Sequence, residues 1–247
     1  MTARHNEEPH RLDPLIAALS SSRRGIVNPN EPPALPPPLR RPIGILAVLA
    51  AAVAAVLAVR YSGTVAAGRL DRRAQTAVES LLPQPGPGAL LIDLVGAPLV
   101  AVALAGLLAA ACLALGLRRL AVVAVAGPGL TGVATTVLKP VIDRTINGGY
   151  LAYSSGHTAA GTALALVVTL LAVELLRAGK LSGVLLILAG AGAAGAAMAW
   201  SQVALGTHYP TDTIGGFCTA MAVVPATAWL VDWFAGRRPG TADPTGR

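Results

Sequence analysis

A chain of 247 residues, 54% hydrophobic and 13% charged, with a mean hydropathy of +0.63, has the composition of a membrane protein and not of a soluble domain. The formal net charge of +7 does not indicate nucleic acid. The basic residues flank apolar runs in pairs and form no patch interleaved with aromatics, which are only 4% of the chain. Cys112 and Cys218 lie in separate apolar segments, with neither C-x-x-C nor metal-ligand spacing, and carry no information on redox compartment.

Residues 1–42 are polar and contain no cleavable signal peptide; "NPNEPPALPPPLRRP" predicts a disordered, proline-rich cytoplasmic tail, a solvated tether or a polyproline ligand for a partner. Apolar runs long enough to span a bilayer, about 17 to 25 residues each, follow at 43–60, 89–115, 120–138, 158–176, 181–200 and 213–234. These predict an all-α, six-helix membrane bundle over 43–236, closed by a short cytoplasmic tail at 237–247. The abundance of Ala and Gly predicts close helix packing. The second run is interrupted at "GAPLV" (96–100) and the third at "GPG" (127–129), breaks that neighbouring helices can satisfy.

Short-loop cations set the expected orientation. Arg40 and Arg41, Arg118 and Arg119, Arg177 and Lys180, and Arg237 and Arg238 all fall on one side, read as the cytoplasm of a multi-pass plasma-membrane protein. The loops at 61–88, 139–157 and 201–212 then face outward. The first carries "RLDRRAQTAVESLL", predicted to be an amphipathic surface helix, whose arginines run against that orientation.

The outward loops hold most of the unusual polar residues. In "WSQVALGTHYPTD" (200–212), Pro210 suits the first turn of a helix, where its missing N–H is no loss. His208 then precedes the sixth helix and Asp212 lies in its first turn. Such an aspartate can accept a hydrogen bond from one imidazole nitrogen and leave the other free as a nucleophile. In "YSSGHTAAGTA" (153–163), Ser154 or Ser155 can cap the fourth helix, Gly156 leaves its first N–H groups open to an anion, and His157 is placed to protonate a leaving oxygen. Lys139 and Arg144, in "LKPVIDRTINGGY" (138–150), add two cations outside the membrane, as a phosphate site requires.

These residues resemble the type 2 phosphatidic acid phosphatase superfamily, membrane lipid phosphatases whose fold is shared with the vanadium haloperoxidases. The family motifs K-x6-R-P, P-S-G-H and S-R-x5-H-x3-D look like Lys139 and Arg144 in "KPVIDRT", Ser155, Gly156 and His157 in "SSGH", and Ser201, His208 and Asp212 in "SQVALGTHYPTD". The resemblance covers about residues 85–235. It implies that His208 attacks phosphorus to form a phosphohistidine while Asp212 holds it, that His157 protonates the leaving group and later helps activate water, and that Lys139, Arg144, Ser155 and Gly156 hold the phosphate. It implies no metal and no cofactor.

Three positions depart from the motifs. Only four residues separate Lys139 from Arg144, with Thr145 in place of the proline; Ser154 replaces the proline of the second motif; and Gln202 stands where the family has a phosphate-binding arginine. Gln202 keeps an N–H donor without the charge. One lost preorganised donor costs about 2.7 to 4 kcal/mol against total accelerations of about 8 to 23 kcal/mol, so a slower enzyme is expected, and Gln202→Arg is expected to raise activity several-fold.

The leading expectation is an extracytoplasmic lipid phosphatase acting on a polyprenyl diphosphate, phosphatidate or phosphatidylglycerophosphate, with recycling of a polyprenyl carrier for the cell envelope first by analogy. A phosphotransferase with the same phosphohistidine is the second reading, and a catalytically silent phospholipid-binding protein the third. A transporter fits less well, since the charges gather at one face and not at the midplane; Asp93 and Glu174, the exceptions, each lie near a helix end. The partners expected are the membrane, the lipid phosphate and a homo-oligomeric copy of the chain, not nucleic acid.

Overall fold

The computed structural model describes residues 31–81 and 86–237. The tail expected to be disordered lies outside the described residues over 1–30, as do residues 238–247. All elements below belong to one unit, Pro32–Arg247.

Among the described residues eight helices carry the fold: α1 (Pro37–Tyr61), α2 (Arg69–Leu81), α3 (Pro87–Gly96), α4 (Pro98–Ala114), α5 (Arg118–Ile142), α6 (Gly156–Leu175), α7 (Lys180–Ala204) and α8 (Pro210–Gly236). Five of them, α1, α5, α6, α7 and α8, are long and apolar enough to cross a membrane. The pair α3 and α4, bent by 63°, passes the same test together and brings the number to six when counted as one broken span. The bend falls at Gly96–Ala97–Pro98, because Pro98 has no N–H to continue the α3 ladder and opens α4 in its first turn instead. The bundle fits an integral multi-pass membrane protein. Its outward faces present Val48, Val59, Leu99, Val102 and Leu181, an arrangement stable only against lipid.

The first helix starts at Pro37, ahead of the sequence boundary near 43. Pro37 and Pro38 fill its first turn, where absent N–H groups cost nothing, and the preceding N–H groups of Ala34 and Leu35 donate to Asp232 on α8 at 2.8 and 3.1 Å. Arg40 also reaches Asp232, at 3.2 Å, and Arg119 lies 3.7 Å from it.

Helix α8 is the central post: α1, α5 and α6 pack around it, and α7 packs on α6. Leu39, Ile43, Val123, Leu166, Val167, Ile187, Met221 and Val224 form the buried core. Small residues permit the closest crossing. A Cβ on Gly216 would lie 2.4 Å from the Ser155 carbonyl oxygen, so only glycine lets α8 meet the start of α6.

Between α5 and α6 the chain forms a short hairpin, β1 (Thr145–Ile146) antiparallel to β2 (Tyr150–Leu151). Its turn, Asn147–Gly148–Gly149, has φ values of 51°, 81° and 127°, the left-handed region that Asn and Gly tolerate. The Asn147 side chain donates to the Gly206 carbonyl at 2.7 Å and ties this hairpin to the α7–α8 loop.

Candidate active site

The three polar loops do converge on one end of the bundle, and each sequence-predicted residue has a defined place there. Ser155 is the residue that caps α6. Its hydroxyl accepts the Thr158 N–H at 3.3 Å and the Thr158 hydroxyl at 3.1 Å, and its own N–H donates to the Asp212 carbonyl at 3.0 Å. Fully buried, it acts as a joint between α6 and α8 rather than as an open phosphate ligand. At Gly156 an added Cβ would meet only Thr135 Oγ1, at 3.9 Å, so this first turn of α6 is uncrowded. Its N–H groups and the helix dipole favour an anion there.

Asp212 lies in the first turn of α8, which begins at Pro210 as its proline dictates. Both carboxylate oxygens are engaged: Oδ1 accepts from Arg144 at 2.5 Å, and Oδ2 accepts the Tyr209 N–H at 3.0 Å. His208 Nδ1 stands 3.9 Å from Oδ2, an ion-pair distance and not the hydrogen bond expected from the spacing. That nitrogen is buried with no hydrogen-bond partner in the structure. Nε2 is left as the outward nitrogen.

Arg144 differs most from its expected role. It is 0% exposed, and its guanidinium donates to Asp71 at 2.6 Å, to Asp212 and to the Thr211 hydroxyl at 2.7 Å. The Tyr61 and Tyr209 rings lie at 4.1 and 4.6 Å on it. These partners take its Nη donors, leaving a buried, unpaired Nε, so it organises the site from behind. Asp71 comes from α2, the stretch predicted to be an amphipathic surface helix. It also accepts from the Thr211 N–H and hydroxyl and the Gly68 N–H. Burial alone pushes the Asp71 carboxyl up, but hydrogen bonds from Thr211, Gly68 and Arg144 outweigh it and hold it below the ordinary carboxylate value.

Lys139, near the end of α5, is a half-buried cation of the site. Among the described residues its ammonium makes no hydrogen bond or ion pair. It lines a pocket of about 600 Å³ with His208, Thr207, Asn147, Tyr150 and Leu151. His157, in the first turn of α6, points its Nε2 at Asp93 Oδ1, 3.5 Å away, with both side chains 32% exposed. Gln202 is 1% exposed and donates from Nε2 to the same Asp93 oxygen at 2.6 Å. Its donor is thus aimed at a carboxylate and not at the pocket. Tyr153, just before the cap, donates to the Ala54 carbonyl at 2.5 Å. Burial raises its hydroxyl well above the usual phenol value, so it stays protonated. Among the described residues no group of three or more His, Cys, Asp or Glu is placed to hold a metal ion.

A family model described as the PAP2 superfamily matches residues 138–235. That segment is similar to the PAP2 superfamily. It contains Lys139, Arg144, Ser155, Gly156, His157, Gln202, His208 and Asp212, and it is the family that the three motifs resemble. No curated protein and no solved structure matches the chain. The PAP2 match supports a phosphatase-type hydrolase of a lipid or other phosphoester. Asp71 and Asp93 lie outside the PAP2 segment. Sequence reasoning missed Asp71 because a first-turn acid ordinarily just suits the helix dipole. Asp93 did carry a signal, as a lone carboxylate within an apolar run.

Proposed function

We propose that the protein is an integral membrane lipid phosphatase working through a phosphohistidine on His208. The observation that carries this reading is the pocket shared by Lys139 and His208, and the uncrowded first turn of α6 at Gly156 offers N–H groups to an anion. A phosphate there meets the Lys139 ammonium and the N–H groups around Gly156. His208 Nε2 attacks phosphorus, and the bond from phosphorus to the lipid or bridging oxygen breaks. His157 gives its proton to that oxygen. Water then attacks the phosphohistidine, passes a proton to His157, and releases inorganic phosphate with His208 restored.

Asp212 stabilises the charge that develops on the His208 ring, and Arg144 fixes that carboxylate through a charged hydrogen bond. The outer end of a membrane bundle suits a substrate whose tail lies in lipid and whose phosphate lies in water. A polyprenyl diphosphate, phosphatidate or phosphatidylglycerophosphate has that form, and polyprenyl carrier recycling in the cell envelope is the proposed setting, with the site facing outward and both termini cytoplasmic.

The test is phosphate release by the detergent-purified protein from those three lipids. His208→Ala is expected to abolish release, with the preferred lipid read from the panel. Label that appears on an added alcohol instead of water would make the protein a phosphotransferase. No release above the His208→Ala variant from any lipid would overturn the reading and leave a silent phospholipid binder.

A further inference from the structure

Asp93 and Gln202 have no part in the steps above, yet they form the tightest polar contact between α3 and the rest of the site. We propose that Asp93 is the positioning residue of His157, and that Gln202 serves the site by holding Asp93. The proposal rests on the reading of His157 as the proton donor.

Helix α3 is apolar except for Asp93, and three features fix it against the site. Its last residue, Gly96, is so close to His157 that an added Cβ would lie 2.8 Å from the His157 Cα, a backbone atom that cannot swing away. One turn and more upstream, the Ala89 carbonyl accepts the Ser201 hydroxyl at 2.7 Å. The Gln202 amide then donates to Asp93 Oδ1 at 2.6 Å, and its Oε1 accepts the Thr207 hydroxyl at 2.9 Å, which fixes which end of the amide faces Asp93. The neighbouring residues Ser201 and Gln202 thus pin α3 twice, and the same Asp93 oxygen faces His157 Nε2 at 3.5 Å.

A proton donor must be charged before it acts. Three groups face His157 across the site: Asp93 from α3, Lys139 from α5 and His208 from the α7–α8 loop. Burial of the ring opposes a charge on His157, as do Lys139 and His208 when protonated; among the described groups facing it, Asp93 alone favours one. Asp93 also places a negative charge near the phosphate, a cost that protonation of His157 removes. Substrate and proton are therefore taken up together, a coupling that an arginine at position 202 would not need.

The experiment is an NMR titration of the histidine rings in the purified full-length protein, with His157→Gln assigning the His157 signal. In Asp93→Asn, which keeps the shape and an oxygen acceptor for Gln202, the His157 midpoint falls by about one pH unit. The carboxylate restored in Asp93→Glu returns it toward the wild type. On the preferred lipid, kcat of Asp93→Asn falls about tenfold with KM unchanged or lower, and the alkaline limb of its profile moves to lower pH.

A His157 titration in Asp93→Asn that superimposes on the wild type overturns the proposal. A shifted titration in a protein that hydrolyses none of the lipids would strike the hydrolase reading and leave the Asp93–His157 pairing standing.

Discussion

The guanidinium of Arg144, shut between two carboxylates and two tyrosine rings, gains its stability only as a set. Asp71 and Asp212 carry two negative charges against its one positive, with the Thr211 hydroxyl and N–H filling further bonding positions. Removing one member of a buried ion cluster costs about 3 to 5 kcal/mol, because the others are left unpaired. Asp71→Ala is expected to destabilise the protein by about that amount in detergent thermal unfolding, although Asp71 lies outside the PAP2 segment. The pH dependence follows from its lowered pKa. Its contribution is complete above the unfolded carboxylate value near 3.9 and is lost as pH falls through the lower folded value. The wild-type melting temperature should therefore drop on acidification below about pH 4, and Asp71→Asn should flatten part of that drop. At position 202 the Gln202–Asp93 hydrogen bond gives a reason to expect a different outcome. An arginine there meets the Asp93 carboxylate before any substrate, so Gln202→Arg should release phosphate no faster than the wild type. A several-fold gain would show the new guanidinium reaching past Asp93.

Among the elements, the spans were legible because the bilayer demands long apolar helices, and Pro210 and Ser155 mark the starts of α8 and α6 by general rules of helix termini. What stayed hidden was pairing across distance. Nothing in "RLDRR" tells that Asp71 reaches Arg144, 73 positions on, or in "LLIDLV" that Asp93 meets Gln202, 109 positions on. Spacing also overstated the His208–Asp212 bond, since it cannot reveal that Arg144 and the Tyr209 N–H hold the carboxylate with its Oδ2 3.9 Å from the ring. The crossing of α8 with α6 is the element-scale feature most exposed to substitution. Gly216→Ala puts a methyl group against the Ser155 carbonyl, and overpacking of this kind costs about 1 to 3 kcal/mol. A lower melting temperature together with slower phosphate release is expected, since the same displacement separates His157 from His208.

At the scale of the whole molecule, the paired cations at one end of the bundle predict which end faces the cytoplasm. The native cysteines, Cys112 and Cys218, are buried and give a quiet background for labelling. In intact cells, Tyr150→Cys on the exposed hairpin should react with a membrane-impermeant maleimide, and Ser182→Cys at the start of α7 should react only after permeabilisation. The reverse pattern would put the pocket in the cytoplasm and exclude an extracytoplasmic substrate.

Charge clusters grip α8 at both ends, through Asp212 with Arg144 and through Asp232 with Arg40 and Arg119. A rod bolted at both ends cannot slide along its axis. Helix α3, by contrast, is fastened by two side-chain hydrogen bonds, from Ser201 and Gln202, and is set off from α4 by the bend. Movement at the site end of the bundle should therefore begin at α3, and its backbone amides should exchange with deuterium before those of α8.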